Sequence, residues 1–184
     1  MNEIDKIIKE FKPEPEKNFG FDFEKEEQAQ SEKDWIFGSA SSNCIAEIPE
    51  LDREKHLPEG EIQKAKEDMF DCATRGLNNI LETKLNWLFA NKKLSFDDEY
   101  FFRANGYVTA RNQIELSDAF IAILSGTTRQ GNSMRAPLDA TRKNGFIPKR
   151  MLPLEPWMTW QDYHNPMRIT REMRDLGQES LKRF

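Results

Sequence analysis

Phe70–Ala90, FDCATRGLNNILETKLNWLFA, carries the strongest periodic signal in the chain. Apolar residues recur at Ala73, Leu77, Ile80, Leu81, Leu85 and Leu88, the spacing of one face of a helix with 3.6 residues per turn. The pattern predicts a helix running to about Ala90, its start capped by Asp68 or Asp71. Cys72 falls in the first turn. There the helix terminus offers unpaired N–H groups and roughly half a positive charge, which favours the thiolate, the nucleophilic form of cysteine. Cys72 lies off the apolar stripe, and Gly76 one turn on leaves space beside the sulfur. The plainer alternative is a small buried hydrophobe, the usual role of a lone helical cysteine. Cys44, in a Ser-Ser-Asn-Cys-Ile context, reads as structural.

Further along, Ser117 opens a second helix bearing Phe120, Ile121, Ile123 and Leu124, closed by Ser125-Gly126. A third opens near Asn132-Ser133, tolerates Pro137 in its first turn and ends at Gly145, with Pro148 just beyond. Thr159-Trp160-Gln161-Asp162 has the form of a capping box with Asp in place of Glu. A last helix from Thr170 carries Met173, Leu176, Leu181 and Phe184 on one side. No alternating strand pattern is strong enough to build a sheet, so the body is expected to be mainly α-helical.

Before the long helix, residues 35–60 run from Trp35-Ile36-Phe37-Gly38 to Leu57-Pro58-Glu59-Gly60 and read as extended chain rather than helix. Residues 1–34 are expected to be an arm. Ile4, Ile7, Ile8 and Phe11 have helical spacing, Pro13 and Pro15 stop it, and Phe19, Phe21 and Phe23 alternate in a polar stretch that orders on contact with a partner. The division is therefore an acidic, aromatic arm at 1–34 and one domain at 35–184.

Bulk properties narrow the function. A chain of 184 residues buries one core, and no apolar run approaches the ~20 residues needed to span a bilayer. MNEIDKIIKEFK interleaves charges with its apolar positions and is not a secretory signal. Two cysteines do not make a disulfide framework, so a reducing cytoplasm is expected. The net charge of −5 is polarised. Residues 1–34 hold eleven acids and six bases, 35–127 fifteen and ten, and 128–184 six and eleven. This is a solvated surface, or an acidic arm lying across a basic face of its own or a neighbour's. The bases are diluted by acids without aromatic interleaving, which argues against nucleic acid. No metal cluster, phosphate loop or dinucleotide motif is present, and no cofactor is expected.

The order of motifs adds a resemblance. Trp35-Ile-Phe-Gly-Ser-Ala-Ser, Leu57-Pro-Glu-Gly-Glu-Ile-Gln63, Phe70-Asp-Cys72-Ala-Thr, Leu116-Ser-Asp-Ala-Phe, Ser125-Gly-Thr-Thr-Arg-Gln-Gly-Asn-Ser133, Ala140-Thr-Arg-Lys-Asn-Gly-Phe-Ile-Pro148 and Trp157-Met-Thr-Trp-Gln-Asp-Tyr163 together resemble the papain-like cysteine peptidases encoded by tailed bacteriophages. The resemblance covers about residues 35–184. It implies the helical left-hand half of a papain-like α+β fold, with Cys72 in the nucleophile's position. It also implies Gln63 as an oxyanion-hole donor, against the alternative of a solvent-facing amide. Gln130, Gly131 and Asn132 would lie on the glycine-rich loop lining the substrate cleft.

The family's general-base His and orienting Asn come from a β-rich domain downstream. The two histidines here, His56 and His164, do not stand in that place, and His164 is expected at the surface. Three readings follow. The first is a structural or interaction protein of a phage particle on an incomplete peptidase half-fold, inactive alone and bound to other virion subunits, in the host cytoplasm and then the virion. The second is a Cys-bearing peptidase chain completed in trans by a second chain carrying His and Asn. The third is a regulatory module such as an inhibitor or propeptide.

Overall fold

The computed structural model describes residues 54–60 and 62–183. The arm at 1–34, Cys44, Phe184 and most of the 35–60 segment lie outside the described residues. Within that segment Glu54, Lys55 and His56 form a helical turn, so the expectation of extended chain fails there. Pro58 disfavours helical geometry at Leu57 and limits the turn.

Six helices follow: α1 (Cys72–Ala90), α2 (Phe96–Ala104), α3 (Asp118–Leu124), α4 (Arg135–Asn144), α5 (Trp160–Tyr163) and α6 (Arg171–Leu181), with 3₁₀ turns at Lys149–Met151 and Pro166–Arg168. The described residues contain isolated β-bridges but no strand, so the described fold is mainly helical. Local chemistry sets most boundaries. Ser117 Oγ accepts from the Phe120 amide, Thr170 caps α6, and Thr159 and Asp162 form a reciprocal capping box at α5. Helix α4 ends at Gly145 with φ +70, and a Cβ there would strike the Gly177 carbonyl of α6. The close approach of α4 to α6 therefore needs glycine at this crossing.

Helix α2 was not expected. Its signal was local: Ser95 Oγ accepts from the Asp98 amide, acids fill the first turn and Arg103 the last. It lacks a clean stripe because the adjacent Phe101 and Phe102 are buried while Phe96 and Tyr100 are exposed.

Two apolar clusters hold the domain. One surrounds α3, whose Ala119, Phe120, Ile121 and Ala122 pack with Met69, Ala140, Ile147, Leu152, Tyr163 and Met173. The other joins the C-terminal end of α1 to α2 through Leu85, Phe89, Phe101, Phe102, Tyr107, Leu116 and Phe146. Leu176 of α6 packs against both.

Helix α1 has the expected length, but its inward face is not the expected one. Ile80 is 65% exposed, and Leu77, Leu81 and Leu88 are only half-buried. Besides Ala73, Leu85 and Phe89, its buried residues are Thr74, Asn78, Glu82, Thr83 and Asn86. The reason lies in the chain passing beneath. Residues 114–117 run extended between α1 and the 147–149 segment. The amides of Glu115 and Ser117 donate to the carbonyls of Tyr107 and Ile147. Those of Ile114 and Leu116 point the other way, to Asn86 Oδ1 at 2.6 Å and Glu82 Oε1 at 2.5 Å. Buried amides must find acceptors, and the polar rungs of α1 supply them.

Candidate functional site

The chain enters α1 through a tight loop. Lys64 and Asp68 form an antiparallel bridge, and the Met69 amide donates to the Gln63 carbonyl at 3.3 Å. Asp68 Oδ1 accepts from the Phe70 amide at 2.8 Å. Phe70 has φ +53, a conformation that a bulky side chain adopts only when its surroundings hold it there. Asp71 then occupies the N-cap position but does not cap with its side chain. Its fully buried carboxylate accepts from Arg75 Nε at 2.9 Å and from the Tyr163 hydroxyl at 2.6 Å.

Arg75 also meets Asp118 Oδ2 through Nη1 at 3.2 Å. Asn78 Nδ2 donates to Asp118 Oδ1 at 2.8 Å. Two carboxylates thus flank one guanidinium at the head of α1, and they hold Arg75 more firmly protonated than usual despite its burial. Burial and the two carboxylates push the Tyr163 hydroxyl well above the usual phenol range, so it remains a donor. The network meets a cleft of about 320 Å³ whose walls include Ile62, Lys149, Leu152 and Leu154.

Cys72 is a free thiol, half-buried, beside this network. The favourable backbone donors at the helix start are outweighed. Burial, then the charges of Asp71 and Asp68, push the thiol above its ordinary value. The expectation that the helix terminus would favour the thiolate is therefore reversed. At Gly76 an added Cβ would meet only the Met134 methyl, at an ordinary contact distance of 3.9 Å.

Gln63 is half-buried, and its Nε2 donates to Asp68 Oδ1 at 2.7 Å. It is not a free solvent-facing amide, since one of its two amide hydrogens is given to Asp68. Gln130 and Gly131 belong to a two-residue hairpin closed by reciprocal Thr128–Gly131 backbone bonds, with Gly131 at φ +92. Gln130 is exposed at its tip. Asn132 is fully buried, and its Nδ2 reaches the Ser125 carbonyl, Ser125 Oγ and Thr127 Oγ1. It clamps the α3–α4 connection, which accounts for Ser125, Thr127 and Asn132 of the motif.

His164 overturns the expectation of a surface residue: it is only 8% exposed. Its ring stacks on Trp160 at 4.4 Å and meets Tyr163 edge-on at 4.9 Å. Nδ1 lies 3.1 Å from the Trp160 carbonyl, a bond that requires the proton on Nδ1. Nε2 is buried with no hydrogen-bond partner among the described residues. His56 contributes its backbone carbonyl, which accepts from Asn86 Nδ2 at 3.4 Å.

The sequence reading thus missed Asp71, Arg75, Asp118 and Tyr163 as one unit. A signal existed for Arg75, a charged residue inside the first turn of the principal helix. Nothing in sequence spacing pairs it with Asp118 or Tyr163. Among the described residues no group of three or more His, Cys, Asp or Glu could hold a metal ion, and no helix is long and apolar enough to cross a membrane. Comparison with protein-family models, curated proteins and solved structures finds no match.

Proposed function

We propose that the chain is a non-catalytic interaction protein of a bacteriophage particle, built on the Cys-bearing half of a papain-like fold. The motif order across residues 35–184 supports the family and its source. The observation that carries the non-catalytic reading is the setting of Cys72, where burial and two neighbouring carboxylates disfavour the thiolate. A cysteine nucleophile needs the opposite environment, a cationic neighbour and a depressed pKa. Gln63, the implied oxyanion-hole donor, gives one amide hydrogen to Asp68.

Alkylation kinetics test the reading. In a Cys44→Ser background, Cys72 should react with iodoacetamide at pH 7 more slowly than glutathione does. A rate tenfold above glutathione would overturn it. In the phage, Cys72→Ala should leave assembly and infectivity intact.

A second reading is completion in trans by a chain bearing His and Asn. It is favoured by the exposed, apolar Ile80 and Met134 on the Cys72 side of the molecule, Met134 standing over Gly76. An arriving imidazolium would offset the charges of Asp71 and Asp68. Under this reading an epoxide thiol probe labels Cys72 rapidly only after the partner is added, and equal labelling with and without it would end the idea.

A further inference from the structure

His164 stands in a stack that ties together the three segments around the head of α1. The Arg129 guanidinium, from the 128–131 hairpin, lies over the Trp160 indole at 5.0 Å. Arg129 Nη2 reaches Glu67 Oε2 at 3.2 Å and Gln161 Oε1 at 3.0 Å. Glu67 Oε2 also accepts from the Trp160 amide at 3.4 Å. The indole in turn covers His164, which packs on Tyr163, whose hydroxyl holds Asp71. Loop 63–69, the hairpin and the residue before Cys72 therefore share one aromatic and cationic stack, with a buried imidazole at its centre.

We propose that His164 makes this stack an acid-sensitive latch, which in its neutral form holds loop 63–69 and hairpin 128–131 against the head of α1 and in its protonated form releases them. The geometry supplies the reason. Nδ1 already carries the proton bonded to the Trp160 carbonyl, so a second proton must go to Nε2, which is buried and has no acceptor among the described residues. The imidazolium would also share the indole with the Arg129 cation.

The charged and titratable groups around the ring are Asp71 from the N-cap of α1, Arg129 from the hairpin, Arg168 from the 3₁₀ turn and the Tyr163 hydroxyl of α5. Asp71 favours the imidazolium, whereas Arg129 and Arg168 oppose it. Burial is the largest influence, and the balance lowers the His164 pKa from its ordinary value. In the opened or unfolded chain the imidazole regains that ordinary value, near 6.5. The open form then binds the proton first as pH falls. Stability from the latch is complete above the ordinary value and is lost as pH drops through it. The loss levels off once the closed form also protonates. The acid response does not require Cys72 to be reactive.

Hydrogen–deuterium exchange at pH 7.5 and 5.0, corrected for intrinsic exchange rates, tests the latch on the full chain. Opening of residues 63–69 and 128–133 should rise severalfold at pH 5.0, while residues 85–89 of α1 keep their protection. His164→Phe retains an aromatic ring without a titrating proton and should abolish the difference. The same acid response in His164→Phe, or an increase spread evenly over the chain, would overturn the proposal. Should the Phe variant fail to fold, the C2-proton NMR titration of wild-type His164 decides. A midpoint below the ordinary range, with the 63–69 amides shifting along the same curve, supports the latch. A midpoint at or above that range overturns it.

Discussion

The two ends of α1 face the same interior with opposite chemistry. At the C-terminal end, Phe89 joins the neighbouring Phe101, Phe102, Tyr107 and Phe146 in a cluster whose ring pairs meet mainly edge-on, Phe102 and Tyr107 at 5.2 Å and Tyr107 and Phe146 at 6.0 Å. At the N-terminal end, Asp71, Arg75, Asn78, Asp118 and Tyr163 form a buried polar network. The aromatic end is stabilised by the area it hides and tolerates small shifts, because dispersion and desolvation are weakly directional. The polar end demands its geometry. Each of its ions has given up hydration and recovers that cost only while every partner is in place. Stability is therefore expected to be robust at one end of the helix and conditional at the other, and the conditional end is the one that carries Cys72.

The largest effect that would test this contrast is Phe102→Ala. Phe102 is fully buried between Phe101 and Tyr107, and truncation should cost about 4 kcal/mol in denaturant unfolding. A loss below about 1 kcal/mol would mean that the aromatic end is not the anchor.

Next comes Arg75→Met, which leaves Asp71 and Asp118 facing one another without their cation. The expected loss is about 3 kcal/mol, and most of it should return when Asp71→Asn and Asp118→Asn are added, since the penalty is for uncompensated charge. Failure of the triple variant to recover would show that the network contributes net stability by itself.

The smallest and sharpest test pairs two tyrosines. Tyr107 donates to a neutral acceptor, the Phe146 carbonyl at 2.8 Å, whereas Tyr163 donates to the Asp71 carboxylate at 2.6 Å. Bonds to ionised partners are about twice as strong. Tyr163→Phe should cost about 2 kcal/mol and Tyr107→Phe about 1 kcal/mol. Equal losses would erase the proposed difference between the ends.

The same contrast shows what was readable in advance. Helices α3, α4, α5 and α6 were legible because their caps and stops are local: Ser117, Gly145, Thr159 with Asp162, and Thr170 act within a few residues of the backbone they serve. Helix α2 was equally local, through Ser95 and its acidic first turn, yet its mixed aromatic face hid it. The face of α1 was misread for a different reason. Leucine spacing marked a stripe through Ile80, but Asn86, Glu82 and Asn78 were needed inside as partners for Ile114, Leu116 and Asp118, residues 28 to 40 positions away in the chain. His164 was misplaced at the surface even though its stacking partner Trp160 is one turn away, because its burial is completed by the fold around that turn.

The sequence by itself determined that the described residues are mainly helical, that the long helix has Cys72 in its first turn, and how α3, α4, α5 and α6 are capped or stopped. Those features follow from periodicity and capping, which act over one or two turns. Only the tertiary structure decided which face of that helix is buried, which protonation state the environment of Cys72 favours and that His164 lies inside. Burial and charge compensation are sums over neighbours brought together from distant positions, and no local pattern records them.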